Sequence, residues 1–170
     1  MKKIKLLGLY AVIGMATASA HGVSYGAEIV GLGGNCLDVT EGKRSNGTPV
    51  QMWRCEGNEN QQWRVDNGRI RWARTDMCLD VREGKRGNGT TVQIWQCERG
   101  NRNQDFNVQR DRIVWAGTNK CMDVSNGSTA DGARVHMWDC QRRNPNQEWS
   151  VRGGCDRDRD RPRDRDNYRN

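Results

Sequence analysis

The chain has 170 residues, of which 34% are hydrophobic and 29% charged, and its formal net charge is +7. This polar composition, with a mean hydropathy of −0.98, leans towards disorder. Seven Trp and seven Cys favour instead a compact domain stabilised by disulfides. Residues 28–151 carry 18 basic and 16 acidic side chains, and this near balance argues against nucleic acid as a partner.

The N-terminal residues predict export. Residues 1–5 are basic, and residues 6–18 are an apolar run that is too short to span a membrane. Ala18-Ser19-Ala20 has the pattern of a cleavage site. We therefore predict a signal peptide over residues 1–20 and a short linker over residues 21–27. The mature protein is expected to be secreted or periplasmic, without insertion into a membrane.

One unit of sequence then occurs three times, over residues of about 28–67, 68–110 and 111–151. In each copy two cysteines lie 19 residues apart, an aspartate follows the first by two residues, and a tryptophan precedes the second by two. Each copy ends in a related box, NQQW, NQDF or NQEW. The cysteine pairs are Cys36 with Cys55, Cys78 with Cys97, and Cys121 with Cys140. A repeat of this length indicates a unit that must pack against its neighbours to bury its apolar face.

Within a copy we predict four short strands, which in the second copy cover residues 70–74, 78–82, 92–97 and 105–109. A propeller would have a similar period, but three blades are fewer than the usual minimum of four. The prediction is therefore an all-β protein, a β-trefoil of three four-stranded repeats with one intra-repeat disulfide each. Alternation along the strands places Leu79, Val81, Val92 and Ile94 in the core.

The cysteine spacing also suggests a strand register. If Cys78 and Cys97 are bonded directly across an antiparallel pair, Asp80 and Trp95 face each other on the same side of the ribbon. The other two copies give the same arrangement. A carboxylate accepts hydroxyl groups of a sugar, and an indole stacks on the apolar face of the ring. The alternative is that the tryptophan packs in the core and the aspartate caps a turn.

The motifs CLDV, VQMWRC and NQQW resemble those of the ricin B-type lectins, a β-trefoil family with Q-x-W repeats, over about residues 27–151. In that family each repeat can hold a shallow sugar pocket, often for galactose or N-acetylgalactosamine. The resemblance implies five sugar-site residues per repeat: the aspartate, the polar residue two before the aromatic, the stacking aromatic, the asparagine, and the glutamine of the Q-x-W box, which supports the aspartate. The three sets are Asp38, Gln51, Trp53, Asn60 and Gln61; Asp80, Gln93, Trp95, Asn103 and Gln104; and Asp123, His136, Trp138, Asn146 and Gln147.

Two residues depart from the family pattern. Phe106 stands where the other two boxes have tryptophan, and we interpret it as a change in the core. His136 replaces a glutamine, which allows the third pocket a different sugar preference or pH response. Asn46-Gly47, Asn88-Gly89 and Asn126-Gly127 match glycosylation acceptors, but we assign them to equivalent turns.

The C-terminal residues 152–170 are predicted to be a disordered Arg/Asp-rich tail. Cys155 has no partner in the repeats, which indicates a bridge to another chain or a free thiol. Neither a metal nor a cofactor is predicted. Asp156, Asp158 and Asp160 resemble only half of a calcium loop.

The leading hypothesis is a secreted, non-enzymatic lectin that binds glycans. The alternative is a glycan-binding subunit of a multi-chain toxin or secreted hydrolase, joined to a partner chain through Cys155 or the tail. Catalysis is not expected, because no catalytic motif is present and the three aspartates belong to separate repeats. A trefoil that binds only proteins is disfavoured, since all three copies keep the aspartate, tryptophan and asparagine.

Overall fold

The computed structural model of the chain describes residues 26–153, which form an all-β body of twelve strands. The strands are β1 (Ala27–Val30), β2 (Cys36–Val39), β3 (Thr48–Trp53), β4 (Trp63–Asp66), β5 (Arg69–Trp72), β6 (Met77–Val81), β7 (Thr90–Gln96), β8 (Phe106–Gln109), β9 (Arg112–Trp115), β10 (Lys120–Val124), β11 (Ala133–Asp139) and β12 (Ser150–Gly153). Four strands per repeat were predicted, and the β-trefoil is confirmed.

Two sets of antiparallel pairs build the body. Each repeat contributes one long hairpin, formed by β2 with β3, β6 with β7, or β10 with β11. Consecutive repeats are joined by the pairs β4–β5 and β8–β9, and β12 pairs with β1 to close the circle. The strands β3, β7 and β11 also pair with one another, which brings the three repeats together around one axis.

The core lies between these hairpins. Leu79, Val81, Val92 and Ile94 are completely buried, as the strand alternation predicts. Phe106 is also in the core, at 1% exposure, so its interpretation as a core change is confirmed. Burial of such side chains is the main favourable contribution to folding.

Short 3-10 helices connect the strands at equivalent places in the three repeats. One type follows the strand that carries the repeated aspartate, at Thr40–Gly42, Arg82–Gly84 and Ser125–Gly127. A second type contains the box glutamine, at Glu59–Gln61, Arg102–Gln104 and Pro145–Gln147. A further 3-10 helix spans Leu32–Gly34. Among residues 26–153 no helix is long and apolar enough to cross a membrane.

The folded region extends slightly beyond the predicted domain of residues 28–151. Ala27 belongs to β1, and both Arg152 and Gly153 belong to β12, where Ala27 is paired with Gly153. The predicted signal peptide, Cys155 and the rest of the Arg/Asp-rich tail lie outside the described residues.

Candidate functional site

The three disulfides are formed within the repeats as predicted, but the predicted register is wrong by two residues. Cys78 is bonded to Cys97, with their Cα atoms 5.0 Å apart, yet Cys78 lies opposite Trp95 in the ladder. Asp80 lies opposite Gln93. The other two repeats have the same offset, with Cys36 opposite Trp53 and Asp38 opposite Gln51, and with Cys121 opposite Trp138 and Asp123 opposite His136.

The offset arises because the second cysteine lies just beyond the end of its strand. The Cys97 N–H donates to the Asp76 carbonyl at 2.7 Å, so its direct neighbour across the ribbon is Asp76. The disulfide therefore joins diagonal residues. Cys78 and Asp80 point to one side of the ribbon because they are two residues apart, and Trp95 points to the same side because it lies directly opposite Cys78.

The residue directly across from each aspartate donates a hydrogen bond to it in repeats one and two. Gln51 Nε2 lies 3.2 Å from Asp38 Oδ1, and Gln93 Nε2 lies 3.1 Å from Asp80 Oδ1. These contacts hold one carboxylate oxygen in place on the pocket side of the hairpin.

The glutamine of the Q-x-W box supports the aspartate from the other side in repeats one and three. Gln61 Nε2 donates to Asp38 Oδ2 at 3.2 Å and to the Arg54 carbonyl at 2.9 Å. Its Oε1 accepts the Glu56 N–H at 2.8 Å. Gln147 makes the equivalent contacts, including 3.0 Å to Asp123 Oδ2. Both glutamines are completely buried, so each links the hairpin to the following turn through hydrogen bonds closed to solvent.

Repeat two differs at this glutamine. Gln104 is equally buried and keeps the two backbone contacts, to the Gln96 carbonyl at 2.9 Å and from the Glu98 N–H at 3.0 Å. Its Oε1 also accepts a 2.7 Å hydrogen bond from Arg69. In repeat two Gln93 is therefore the stronger hydrogen-bond partner of Asp80 and Gln104 the weaker one.

Burial shapes the electrostatics of the aspartates. Loss of water raises the pKa of both Asp38 and Asp80 above the ordinary value, and the glutamine hydrogen bonds oppose this shift. Each carboxylate is only 3% exposed. A carboxylate oxygen has lone pairs beyond the one that a glutamine uses, and an ionised carboxylate is a strong acceptor for a ligand hydroxyl.

The seven tryptophans separate into two groups. Trp63 and Trp149 of the Q-x-W boxes are buried and donate from Nε1 to the carbonyl oxygens of Leu37 and Met122, at 2.9 and 3.0 Å. Trp72 and Trp115 are buried as well. The predicted stacking residues are partly exposed, and these are Trp53, Trp95 and Trp138. Partial exposure on the same side of the ribbon as the aspartate distinguishes them from the buried tryptophans, because an indole face must be accessible to contact a ligand.

The predicted asparagines lie on the 3-10 helix that contains the box glutamine, against the turn that follows the aspartate. A Cβ atom built at Gly42 would lie 2.6 Å from Asn60 Oδ1, and one at Gly84 would lie 2.6 Å from Asn103 Oδ1. Gly127 has the same relation to Asn146, at 3.1 Å. Only glycine fits this approach at a φ of about 60° without displacing the amide. The asparagine thus borders the segment that begins directly after the pocket aspartate.

Repeat three has an imidazole in place of the amide. His136 Nε2 lies 3.1 Å from Asp123 Oδ1, and the imidazole stacks on Trp138 with ring centroids 5.3 Å apart. Burial lowers the pKa of His136, so the ring is neutral at neutral pH.

Sequence reasoning missed further contacts around the pockets. Asn144 Nδ2 donates to Asp123 Oδ2 at 3.3 Å, and Arg82 Nε donates to Gln93 Oε1 at 2.9 Å. Asn144 could have been found from the sequence, because all three repeats have an asparagine two residues before the asparagine of the Q-x-W box. For Arg82 the only sequence signal is that the equivalent positions of the other repeats hold a threonine and a serine, Thr40 and Ser125.

A cavity of about 740 Å³ lies beside the site of repeat one. Its lining includes Gly42, Trp72 and Arg152, and Asn60 is the one residue that it shares with the predicted sugar-site set. It also borders Gly26 and Gly153, the first and last described residues.

The turn assignment was correct for two of the three Asn-Gly pairs. Asn46-Gly47 and Asn88-Gly89 form turns that directly precede β3 and β7, whereas Asn126 lies in the earlier 3-10 helix. The equivalent of the first two pairs is Asp131-Gly132. The spacing of the repeats, rather than the dipeptide itself, identifies the equivalent turn.

The twelve strands and the three repeated hairpins define a β-trefoil of the lectin type. The family model of the ricin-type beta-trefoil lectin domain matches residues 26–149, and the chain belongs to this family. Nigrin b from Sambucus nigra is 43% identical over 44 residues, which are 26% of this chain and 8% of that protein. The matched segment is therefore a small part of nigrin b.

Solved structures share the fold. A designed three-fold symmetric protein, ThreeFoil, has a TM-score of 0.68 and 27% identity, covering 75% of this chain and 97% of that one. The C-terminal half of the earthworm R-type lectin, in complex with GalNAc, has a TM-score of 0.63 and 20% identity, with coverage of 74% and 96%. An exo-beta-1,3-galactanase from Clostridium thermocellum has a TM-score of 0.60 and 23% identity; coverage is 76% of this chain but 30% of the enzyme.

Proposed function

We propose that the chain is an exported, non-enzymatic lectin that binds galactose- or N-acetylgalactosamine-type glycans through up to three pockets, one in each repeat. The observation that carries the proposal is a buried carboxylate and a partly exposed indole on the same side of one hairpin, found in all three repeats. The GalNAc complex of the earthworm lectin supports this sugar class by analogy.

Each group has a chemical role in the proposed pocket. The aspartate accepts hydroxyl groups of the sugar, and the asparagine both donates and accepts. The indole of Trp53, Trp95 or Trp138 contacts the apolar C–H face of the ring. The glutamines hold the carboxylate in position, which reduces the ordering needed on binding.

Three weak pockets gain affinity when they act together. They belong to three repeats around one axis, so a glycan-coated surface can engage more than one of them. Multivalent attachment can raise the apparent affinity by about two orders of magnitude when the spacing of the ligands permits it.

The direct test is retention on immobilised lactose and elution with free galactose. Replacing Trp53, Trp95 and Trp138 together by alanine should abolish retention, because each pocket loses its stacking surface. The matched variant with phenylalanine at the same three positions keeps an aromatic face and should retain part of the binding. Retention of the folded alanine variant would refute the assignment of these residues.

The pKa shifts predict how binding depends on pH. Since the pKa values of Asp38 and Asp80 are raised, these groups become neutral at a higher pH than an ordinary aspartate. A neutral carboxyl group is a weaker acceptor, so binding should weaken on acidification before an exposed aspartate would titrate. Titration calorimetry with lactose across the acidic range would measure this, and an unchanged affinity would contradict it.

A second candidate is a glycan-binding subunit of a multi-chain toxin or a secreted hydrolase. The galactanase comparison favours it, because a matching domain there occupies 30% of a larger enzyme. Cys155 or the tail would connect the partner chain. Non-reducing electrophoresis of the native protein would reveal the partner, and Cys155→Ser would remove it if the link is a disulfide.

Two further expectations accompany the proposal. Three disulfides favour an oxidising compartment, so the protein should be recovered outside the cytosol, with its N-terminus at about His21 after cleavage. Incubation of the protein with a panel of glycans should leave them intact. Released sugar would refute the non-enzymatic assignment.

A further inference from the structure

The rims of the three candidate pockets differ in charge. Arg82 is the first residue of the 3-10 helix after β6, and its Nε donates to Gln93 Oε1 at 2.9 Å. Gln93 in turn donates to the pocket carboxylate Asp80. The guanidinium is therefore attached to the pocket of repeat two through a single amide.

The same guanidinium reaches the neighbouring repeat. Arg82 Nη2 lies 3.4 Å from the carbonyl oxygen of Gly47, in the turn before β3 of repeat one. A Cβ atom built at Gly47 would lie 3.9 Å from Gln93 Oε1 and 4.0 Å from Trp95 Cζ3. The turn of repeat one thus forms part of the rim of the second pocket, and Arg82 lies in the same rim.

Repeat three places an arginine at the equivalent carbonyl from a different position in the sequence. Arg134, on β11, donates from Nη2 to the Gly89 carbonyl oxygen and, at 3.0 Å, to Thr91 Oγ1. It precedes His136 by two residues on the same strand, so the two side chains lie on the pocket side of the ribbon. The positive charge of Arg134 adds to burial in lowering the pKa of His136.

Repeat one has no arginine at either position. Thr40 corresponds to Arg82, and Pro49 corresponds to Arg134. The nearby Arg54 is engaged by Asp131, with Nη2 at 2.6 Å from the carboxylate.

The two rim arginines are available to a ligand. Both side chains are exposed, and within residues 26–153 neither forms an ion pair. Glu83, the acid adjacent to Arg82, is instead paired with Lys85 at 2.6 Å. A guanidinium held by one or two neutral acceptors still has N–H groups directed to solvent, and these suit sulfate or carboxylate oxygens.

We infer that the pockets of repeats two and three prefer galactosides that carry an anionic substituent, a sulfate ester or a sialic acid carboxylate, and that the pocket of repeat one does not. The inference rests on the proposed sugar-binding function. It specifies which class of galactoside the pockets of repeats two and three prefer. Arg82 and Arg134 are the specificity-determining residues.

The test uses variants of the full chain that keep one pocket each. W53A/W138A retains repeat two, W53A/W95A retains repeat three, and W95A/W138A retains repeat one. Calorimetry compares lactose, sulfated lactose and sialyllactose. The first two variants should bind an anionic probe about threefold to tenfold more tightly than lactose, as for an exposed charge-assisted contact. The third variant should bind all three probes alike.

Exchange between repeats provides the matched controls. R82T in the repeat-two variant and R134T in the repeat-three variant should reduce the ratio of anionic to neutral affinity to about one, because an exposed ion pair is lost. T40R in the repeat-one variant should raise that ratio. Added salt should reduce the preference, because exposed charges are screened. A preference for one anionic probe alone would identify sulfate or carboxylate as the ligand group.

The outcomes separate the inference from the function on which it rests. Equal binding of lactose and both anionic probes by all three variants would overturn the inference and leave the lectin function intact. Loss of lactose binding in every variant, with the wild type also inactive, would overturn both. If a double tryptophan variant does not fold, R82T/R134T in the otherwise unchanged chain must lose the preference for immobilised sulfated lactose that the wild type has.

Discussion

Gln61 is the side chain whose loss should be most costly among those of the first pocket. Gln61→Leu keeps a similar volume but removes three hydrogen bonds, to the Arg54 carbonyl, the Glu56 N–H and Asp38. A buried group left without a partner costs about 1–3 kcal/mol. Glu56 is exposed and water can satisfy part of the loss, so we expect a total of about 3 kcal/mol. For a domain of this size the melting temperature should fall by about 10 °C.

Urea unfolding followed by tryptophan fluorescence measures the free energy of unfolding. Gln62→Leu is the matched control, because Gln62 is the next residue and is partly exposed. We expect it to remain within about 1 kcal/mol of the wild type. A Gln61→Leu protein as stable as this control would refute the argument that the buried glutamine ties the hairpin to the turn. Loss of Gln61 should also raise the pKa of Asp38 further, since its hydrogen bond lowers that pKa.

Three more predictions concern stability. Replacing Cys78 and Cys97 by serine opens a loop of 19 residues and should cost about 3 kcal/mol in urea unfolding; an unchanged midpoint would contradict this. Because burial lowers the pKa of folded His136, the unfolded chain binds the proton first and stability declines as pH falls below about 6.5. His136→Gln should lose less stability between pH 7 and pH 5 than the wild type, and parallel pH curves would exclude this contribution. Phe106→Trp should add an indole N–H near the Leu79 carbonyl and stabilise by about 1 kcal/mol, and a destabilised variant would show that the space is too small.

The sequence repeat predicts much of the fold, because strand alternation and cysteine spacing each correspond to a definite contact in the structure. Alternation placed Leu79 and Ile94 in the core, since side chains on a strand point to opposite sides. The cysteine spacing identified the disulfides, because three equal spacings require three equal structures. The partial exposure of Trp95 followed from its position on the side of the ribbon away from those core residues.

The register could not be predicted from the cysteines. Cys78 faces the same side of the ribbon as both Trp95 and Cys97, so alternation alone does not distinguish a direct bond from a diagonal one. The rim arginines were missed for a related reason. Arg82 and Arg134 occupy positions that are not equivalent in the alignment of the repeats, yet their guanidinium groups lie against equivalent glycine carbonyls. The length of the side chain and the geometry of the loop decide where each guanidinium group lies, and the alignment of the repeats contains neither of them.

One feature of the turns before β3, β7 and β11 links the repeats in a closed order. Asn46 of repeat one accepts the Gln96 N–H of repeat two at 2.7 Å. Asn88 of repeat two accepts the Asp139 N–H of repeat three at 2.9 Å. Asp131 of repeat three accepts the Arg54 N–H of repeat one at 2.8 Å.

The three hydrogen bonds form a ring, because they link repeat one to two, two to three and three to one. Each bond reaches the residue directly after Trp53, Trp95 or Trp138, so every proposed pocket is tied to the turn of the repeat before it. The pairing of β1 with β12 brings the two ends of the described chain together, at Ala27 and Gly153. A circular permutant that joins these ends and opens the chain at Gly68, between β4 and β5, therefore keeps every inter-repeat bond. Removal of one whole repeat breaks two of the three bonds at once.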